Sequence, residues 1–142
     1  MLVKELMSNA PVVLEPEESA AVAARLMRER NIGVLPVCDA GGSLVGMLTD
    51  RDIVTRCVAA GSNAAETPVR DIMSNGAVTA ETDEPLEKAL ERMQREQVRR
   101  LPVTQDGRLV GMLSIADVAR GGRRAAETAE ALSHITSNVC RK

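Results

Sequence analysis

A chain of 142 residues has the length of about one domain and can bury a core without help from a disulfide or a metal. Its 44% hydrophobic and 27% charged residues are ordinary for a globular protein, and a net charge of −2 predicts no nucleic-acid or membrane partner. The absence of Phe, Tyr and Trp also removes the aromatic platforms on which proteins stack single-stranded nucleic acid.

The first amphipathic helix is predicted over residues 19–30, after a short first strand. Its apolar face is formed by Ala20, Ala23, Ala24 and Met27. Two apolar runs follow at residues 34–38 and 44–48, and the glycine-containing turn between them predicts a β-hairpin. A closing helix then carries Ile53 and Cys57 at positions i and i+4 and ends near Gly61.

The second half repeats this order of strand, helix, strand, strand and helix. Asp83 and Pro85 are start signals for its first helix. The apolar positions of that helix are Leu86, Ala89, Leu90 and Met93. The hairpin runs fall at residues 101–103 and 109–113. The pattern predicts an α/β (α+β) fold of two repeats, each a small sheet with helices packed on it.

The two halves align with each other at a spacing of about 66 residues. The matching segments are Leu6-Met7-Ser8-Asn9 with Ile72-Met73-Ser74-Asn75, Leu35-Pro36-Val37 with Leu101-Pro102-Val103, and Leu44-Val45-Gly46-Met47-Leu48-Thr49 with Leu109-Val110-Gly111-Met112-Leu113-Ser114. The spacing falls by one residue near Gly41 and Gly42, in a turn, where insertions are expected. We expect repeat 1 at residues 1–60, a linker at 61–68, repeat 2 at 69–122 and a partly helical tail at 123–142.

Each repeat places a hydroxyl residue at a strand end and an aspartate three positions later, where the closing helix begins. The pairs are Thr49 with Asp52 and Ser114 with Asp117. Free N–H groups at a helix start favour phosphate, and an aspartate there can accept hydrogen bonds from a ribose diol. The same spacing is a variant of the capping box, and on the residues alone capping is the better explanation. The two roles can coexist.

These residues resemble the cystathionine-beta-synthase (CBS) domain, which normally occurs as a tandem pair called a Bateman module. The resemblance covers about residues 3–122 and is carried by the two Leu-Pro-Val strands and by the segments Gly-Met-Leu-Thr-Asp-Arg-Asp and Gly-Met-Leu-Ser-Ile-Ala-Asp. It implies two repeats related by pseudo-two-fold symmetry that bind adenosine-containing ligands in the cleft between them. The implied ligands are AMP, ADP, ATP, S-adenosylmethionine or an adenine dinucleotide, with or without magnesium, and no cofactor is required.

The resemblance also assigns roles to single residues. Asp52 and Asp117 would contact the ribose hydroxyls, with Thr49 and Ser114 near the phosphates. Val13 and Thr79 stand by position where the family holds the base, although Val13 departs from the family pattern and is better explained as a core strand residue. The basic residues that could reach phosphates are Arg51, Arg99 and Arg100. Because Ile115 and Ala116 replace Asp50 and Arg51, the two sites should not be equivalent.

No catalytic or metal-binding residue is predicted, because the single histidine, His134, lies in the tail and no cysteine or serine has an evident base partner. The three cysteines, Cys38, Cys57 and Cys140, have irregular spacing that suits a reducing cytoplasm. We expect a stand-alone cytoplasmic regulatory module that signals to an unidentified protein by conformational change. The alternative is a structural or partner-binding module with vestigial ligand sites.

A homodimer is predicted from a difference between the first helices of the two repeats. Val22 and Leu26 stand at i and i+4 where the second repeat has Lys88 and Arg92. A second apolar stripe on one helix indicates burial against another chain, and the family commonly pairs its modules through helices.

Overall fold

The computed structural model describes residues 1–9 and 11–121. The predicted tail at residues 123–142, with His134 and Cys140, lies outside the described residues. Over the described part of the chain, no helix has the length and apolarity needed to cross a membrane.

The architecture is α/β, with two small sheets and short helices. In chain order the elements are a 3-10 turn (Val3–Glu5), β1 (Ser8–Asn9), α1 (Ala20–Arg30), β2 (Val34–Cys38), β3 (Leu44–Thr49), α2 (Asp50–Asp52) continued by a π-helical segment (Ile53–Val58), a second 3-10 turn (Val69–Asp71), β4 (Ala80–Glu81), α3 (Leu86–Glu96), β5 (Arg100–Gln105), β6 (Arg108–Ser114) and α4 (Ile115–Gly121). Within the described residues, the first helix and the hairpin of each repeat are present close to their predicted positions. The closing helix of repeat 1 ends at Val58, three residues before its predicted end near Gly61.

The chain divides into two compact units whose boundaries differ from those of the repeats. The repeat-1 unit is Val12–Ala77, and the described part of the repeat-2 unit is residues 1–9 and 11 together with residues 78–121. Residues 1–9 pack with the second repeat, since Val3 is fully buried in that unit's core and Met1, Leu6 and Met7 pack against it. By the same logic, Val69 is fully buried in the core of the repeat-1 unit.

The residues expected to form a linker, 61–68, make backbone hydrogen bonds to the start of α1. The amide of Ala20 donates to the carbonyl oxygen of Thr67 at 2.8 Å, and the amide of Ala21 donates to that of Ala64 at 3.1 Å. Ala64 also packs against the repeat-1 core. This segment is therefore a packed part of the repeat-1 unit.

The sheets of the two units follow one plan with different extents. In the repeat-2 unit, four strands lie in the order β1-β6-β5-β4, with β4 parallel to β5 and the other pairs antiparallel. In the repeat-1 unit, only β2 and β3 form a sheet. The predicted first strand is reduced there to a parallel bridge between Leu14 and Val37, and Ser74 bridges Met47.

Local residues account for where the two long helices begin and end. Ser19 caps α1, since its Oγ accepts a hydrogen bond from the amide of Val22 at 3.2 Å. Both α1 and α3 end where a residue adopts the left-handed conformation, at Asn31 (φ 53°) and Gln97 (φ 57°). The four predicted apolar positions of α3 are all buried. Of the four predicted apolar positions of α1, Ala24 is exposed, whereas its counterpart in α3, Leu90, is buried.

The apolar stripe invoked for a homodimer is partly used inside the chain. Leu26 is half-buried and packs against the core of the repeat-1 unit, and Val22 is half-buried. The core accounts for Leu26 without a second chain, so the homodimer stays a prediction.

Candidate functional sites at the two strand-to-helix turns

The turn from β3 into α2 is closed by reciprocal hydrogen bonds between Thr49 and Asp52. Thr49 Oγ1 accepts from the amide of Asp52 at 3.0 Å, and Asp52 Oδ2 accepts from the amide of Thr49 at 2.9 Å. Two backbone donors at the start of the helix are therefore satisfied by side chains. The capping explanation of this pair is confirmed.

The turn from β6 into α4 has the same construction. The amide of Asp117 donates to Ser114 Oγ at 3.0 Å, and the amide of Ser114 donates to Asp117 Oδ2 at 3.2 Å. Both aspartates are mostly buried, with side chains 13% exposed for Asp52 and 11% for Asp117. A ligand would reach them only through the small exposed part of each carboxylate.

The second carboxylate oxygen of each aspartate faces an arginine on the closing helix. Asp52 Oδ1 lies 4.0 Å from Nε of Arg56, and Asp117 Oδ1 accepts a hydrogen bond from the guanidinium of Arg120. The sequence reasoning assigned neither arginine to these turns, although their spacing of i+4 and i+3 from the aspartates was a readable signal. The arginines occupy different positions in the two repeats, since Arg56 aligns with Gly121.

Three of the predicted ligand residues come together in one pocket of the repeat-2 unit. This open pocket has a volume of about 310 Å³ and is lined by Arg99, Arg100, Ser114, Ile115, Ala116 and Ala119. Arg100 pairs directly with Ser114 across the β5–β6 ladder, which places the two side chains on one face of the sheet. Asp117 caps the helix beside this pocket and is not among its lining residues.

The corresponding turn of the repeat-1 unit carries a carboxylate. The amide of Asp50 donates to the carbonyl oxygen of Gly33 at 2.9 Å, as that of Ile115 does to Arg99 at 3.0 Å. A Cβ on Gly33 would lie 2.9 Å from Asp50 Oδ2, so the carboxylate covers the space above this glycine. Arg51 follows on the exposed side of the turn.

The two residues predicted to hold a base differ in their surroundings. Val13 is 41% exposed, so its interpretation as a core strand residue is wrong. Thr79 is half-buried, and its carbonyl oxygen accepts a hydrogen bond from Nη1 of Arg92 at 2.8 Å. In the first repeat Leu26 replaces Arg92, so the carbonyl of Val13 has no equivalent arginine.

Arg92 also forms a two-bond ion pair with Glu84. Nη1 donates to Oε1 at 2.7 Å and Nη2 donates to Oε2 at 2.9 Å. The side chains are only 24% exposed for Arg92 and 14% for Glu84. The hydrogen bond from Arg92 holds the pKa of Glu84 below its usual value. The same bond raises the pKa of Arg92. The sequence reasoning missed this pair, because the two residues lie on separate elements.

The two described cysteines have the character of core residues. Cys38 and Cys57 are buried and carry free thiols. Burial, and then the neighbouring charge of Asp39, raises the pKa of Cys38, which makes it a poor nucleophile. Among residues 1–9 and 11–121, no group of three His, Cys, Asp or Glu side chains is arranged to hold a metal ion.

Comparisons with known proteins identify the repeats. A family model for the CBS domain matches residues 3–59 and 69–123. CBS domain-containing protein YhcV of Bacillus subtilis (strain 168) is 36% identical over 134 residues, which cover 94% of each chain.

Solved structures of similar chains carry different ligands. Hypoxic Response Protein I, with two coordinated zinc ions, has a TM-score of 0.77 and 34% identity over 85% of this chain and 98% of that one. The CBS domain pair of protein MJ0100, in complex with 5-methylthioadenosine and S-adenosyl-L-methionine, has a TM-score of 0.74 and 31% identity over 87% and 98%. CBSX2 in complex with AMP has a TM-score of 0.75 and 26% identity over 88% and 98%. The chain therefore belongs to the CBS domain family and carries two CBS repeats.

Proposed function

We propose that this chain is a regulatory module that binds an adenosine-containing small molecule at its strand-to-helix turns. The observation that carries the proposal is the pocket beside Ser114, which is lined by Arg99 and Arg100. A volume of about 310 Å³ lies at the small end of the range found for ligand sites. Guanidinium groups beside a hydroxyl are suited to a phosphorylated ligand.

The class of ligand is supported by what similar proteins bind. The MJ0100 pair holds methylthioadenosine and S-adenosylmethionine, and CBSX2 holds AMP. These compounds share an adenosine ribose, and we assign Asp52 and Asp117 to accept hydrogen bonds from its hydroxyls. ADP, ATP and adenine dinucleotides have the same ribose and belong to the proposed class, with magnesium as an accompanying ion for the polyphosphates.

The absence of aromatic residues makes the test simple. A chain without Trp or Tyr absorbs little light in the near ultraviolet, so a nucleotide that co-purifies with it would dominate the ultraviolet absorption spectrum. We expect the purified protein to release an adenosine compound on denaturation, identified by mass spectrometry. Calorimetric titration with AMP, ATP, S-adenosylmethionine and methylthioadenosine should then give saturable binding to the emptied chain. A chain that binds none of them would contradict the proposal.

A second candidate function is a structural or partner-binding module whose ligand sites are vestigial. The observation that favours it is the state of the two aspartates. Each already has one oxygen in a capping box and the other facing an arginine. The same titration separates the two candidates, because a vestigial module would bind no adenosine ligand at any concentration tested.

We further propose that the module acts in the cytoplasm and catalyses no reaction. Two copies of the chain form a homodimer, which signals to a separate regulated protein. A sensor returns its ligand unchanged, so prolonged incubation with excess ATP should leave the nucleotide intact by chromatography. Light scattering at micromolar concentration should give twice the mass of 15.2 kDa. A monomer in this measurement would contradict the homodimer.

A further inference from the structure

The pocket of the repeat-2 unit carries a positive charge that the described residues do not neutralise. Arg99 and Arg100 are exposed and line the pocket. Within residues 1–9 and 11–121, no carboxylate forms an ion pair with either guanidinium. The neighbouring acid, Asp117, is already engaged by the amide of Ser114 and by Arg120.

The aligned positions of the repeat-1 unit carry no net charge. They are Gly33, Val34, Thr49, Asp50, Arg51 and Val54. The two sets of positions correspond in space within their own units, since Asp50 and Ile115 make the same backbone hydrogen bond. Repeat 2 therefore presents two arginines and no acid, whereas repeat 1 presents one arginine and one aspartate.

Asp50 lies over the position where the second repeat has Arg99, an arginine that lines the pocket. Asp50 Oδ2 would be 2.9 Å from a Cβ on Gly33, and Gly33 is the counterpart of Arg99. A phosphate at this turn would meet a carboxylate where the second repeat offers a guanidinium. Like charges at such distances repel, and the repulsion grows when a ligand excludes water.

Apolar residues replace the remaining basic and small positions of the first turn. Val34 stands where repeat 2 has Arg100, and Val54 stands where it has Ala119. Val54 is 58% exposed, and Val13, in the same unit, is 41% exposed. Val54 lies one helical turn after Asp50, and an exposed valine so close to a carboxylate suits an uncharged or cationic group better than a phosphate.

We propose that the two repeats select ligands of different charge. Asp50 excludes phosphate from the turn of repeat 1, so the 5′-phosphate of an adenosine nucleotide binds only at the repeat-2 pocket, beside the arginines already assigned to phosphate, Arg99 and Arg100. The chain then binds one phosphorylated ligand. This inference rests on the proposed adenosine-binding function and names the ligand class of each of its sites.

The test compares AMP with adenosine, which differ only by the phosphate. Calorimetry on the emptied full chain at low ionic strength should give one AMP per chain, bound about tenfold or more tightly than adenosine, since each charge-assisted hydrogen bond contributes that much affinity. Arg100→Val, which installs the residue of repeat 1, and Arg99→Ala should each weaken AMP about tenfold and leave adenosine unchanged. Arg108→Val is the matched control, since Arg108 is an exposed arginine of β6 outside the pocket and its loss should change neither affinity.

The Asp50→Ala variant tests the excluding group. The Asp50 side chain is exposed and accepts a local hydrogen bond from the amide of Arg51 at 2.8 Å, so its truncation should leave the fold intact. It should bind a second, weaker AMP. Three results would each overturn the inference. They are the binding of two AMP molecules with equal affinity to the unaltered chain, an unchanged stoichiometry in Asp50→Ala, and an AMP affinity that stays the same in both arginine variants. If neither AMP nor adenosine binds, the proposed function itself fails, and this outcome is distinct from the others.

Discussion

The amide of Val3 donates a hydrogen bond of 3.1 Å to the carbonyl oxygen of Glu84, in the loop before the first helix of the second repeat. The first repeat receives the equivalent bond from the segment that precedes the second, since Val69 donates to Glu18 at 2.7 Å. Each repeat is thus completed by a segment that precedes the other in sequence. Such a chain should not separate into two stable halves when it is cut at residues 61–68.

Replacing Val3 by Ala should destabilise the repeat-2 unit, although Val3 lies at the start of the chain. The side chain is fully buried in that unit's core. Loss of two buried carbons and the resulting cavity should lower the free energy of unfolding by about 2 kcal/mol. A urea melt of the full chain measures this change. Val13→Ala is the control, because Val13 is 41% exposed and the same truncation should have little effect.

Gly111→Ala should be destabilising because the preceding segment passes directly over this glycine. An added Cβ would lie 2.6 Å from the carbonyl oxygen of Ser8 and 2.8 Å from Sδ of Met7. The first contact involves backbone that is held in the β1–β6 pair, so we expect a loss of about 1 to 3 kcal/mol. Gly46→Ala should behave alike, since its Cβ would lie 2.7 Å from the carbonyl oxygen of Ser74.

Gly41→Ala provides the comparison for both glycine variants. Its Cβ would meet one side-chain oxygen of Asp39 at 3.4 Å, an ordinary contact. Thermal melts should therefore rank Gly41→Ala close to the unaltered chain. Equal melting temperatures for the three variants would contradict the close approach of the two segments.

The sequence was sufficient to predict the helices, the hairpins and the capped turns, because these features depend on residues that are close together in the chain. It was not sufficient to predict which repeat each 3-10 turn packs against. Val3 and Val69 have the same local sequence pattern, and only their long-range burial distinguishes the two possibilities. The Glu84–Arg92 pair was missed for a similar reason, since neither residue has a distinctive pattern of its own. Asp50 was noted in the sequence, but its position over Gly33 required the fold.

The Glu84–Arg92 pair should make stability depend on pH in the acid range. Arg92 lowers the pKa of Glu84 in the folded state below the usual value of 4.5, so the unfolded chain takes up the proton more readily. The stabilisation is complete above the unfolded pKa and is lost as pH falls through the lower folded pKa. Glu84→Gln should reduce the free energy of unfolding by about 1 to 2 kcal/mol near neutral pH, and this difference should shrink in acid.

Urea melts of the unaltered chain and of Glu84→Gln at several pH values measure this difference in the free energy of unfolding. The control is Glu96→Gln. Glu96 Oε1 lies 3.7 Å from Nε of Arg95, and the side chain of this arginine is 70% exposed. Exposed pairs contribute little, so this variant should follow the unaltered chain at every pH. A difference for Glu84→Gln that stays constant down to pH 3 would show that the ion pair is not its source.

The two helix-starting aspartates should contribute to both stability and ligand binding, and paired variants separate these contributions. Asp52→Ala and Asp117→Ala remove the capping bonds to Thr49 and Ser114, which should lower the free energy of unfolding by about 0.5 to 2 kcal/mol. Asp117→Asn keeps an oxygen that can accept from the amide of Ser114 but loses the charge. It should therefore fold nearly as well as the unaltered chain.

If the carboxylate accepts hydrogen bonds from the ribose, Asp117→Asn should weaken adenosine and AMP by similar factors of about ten, because the ribose is common to both. The pocket arginines should instead affect AMP alone. Asp83→Ala serves as the control, since Asp83 is 71% exposed, pairs with Lys4 and belongs to neither turn. Calorimetry well below the melting transition gives the affinities, and a denaturant melt of the emptied variants gives the stabilities. An Asp117→Asn chain that binds both ligands as tightly as the unaltered chain would leave this aspartate with its capping role alone.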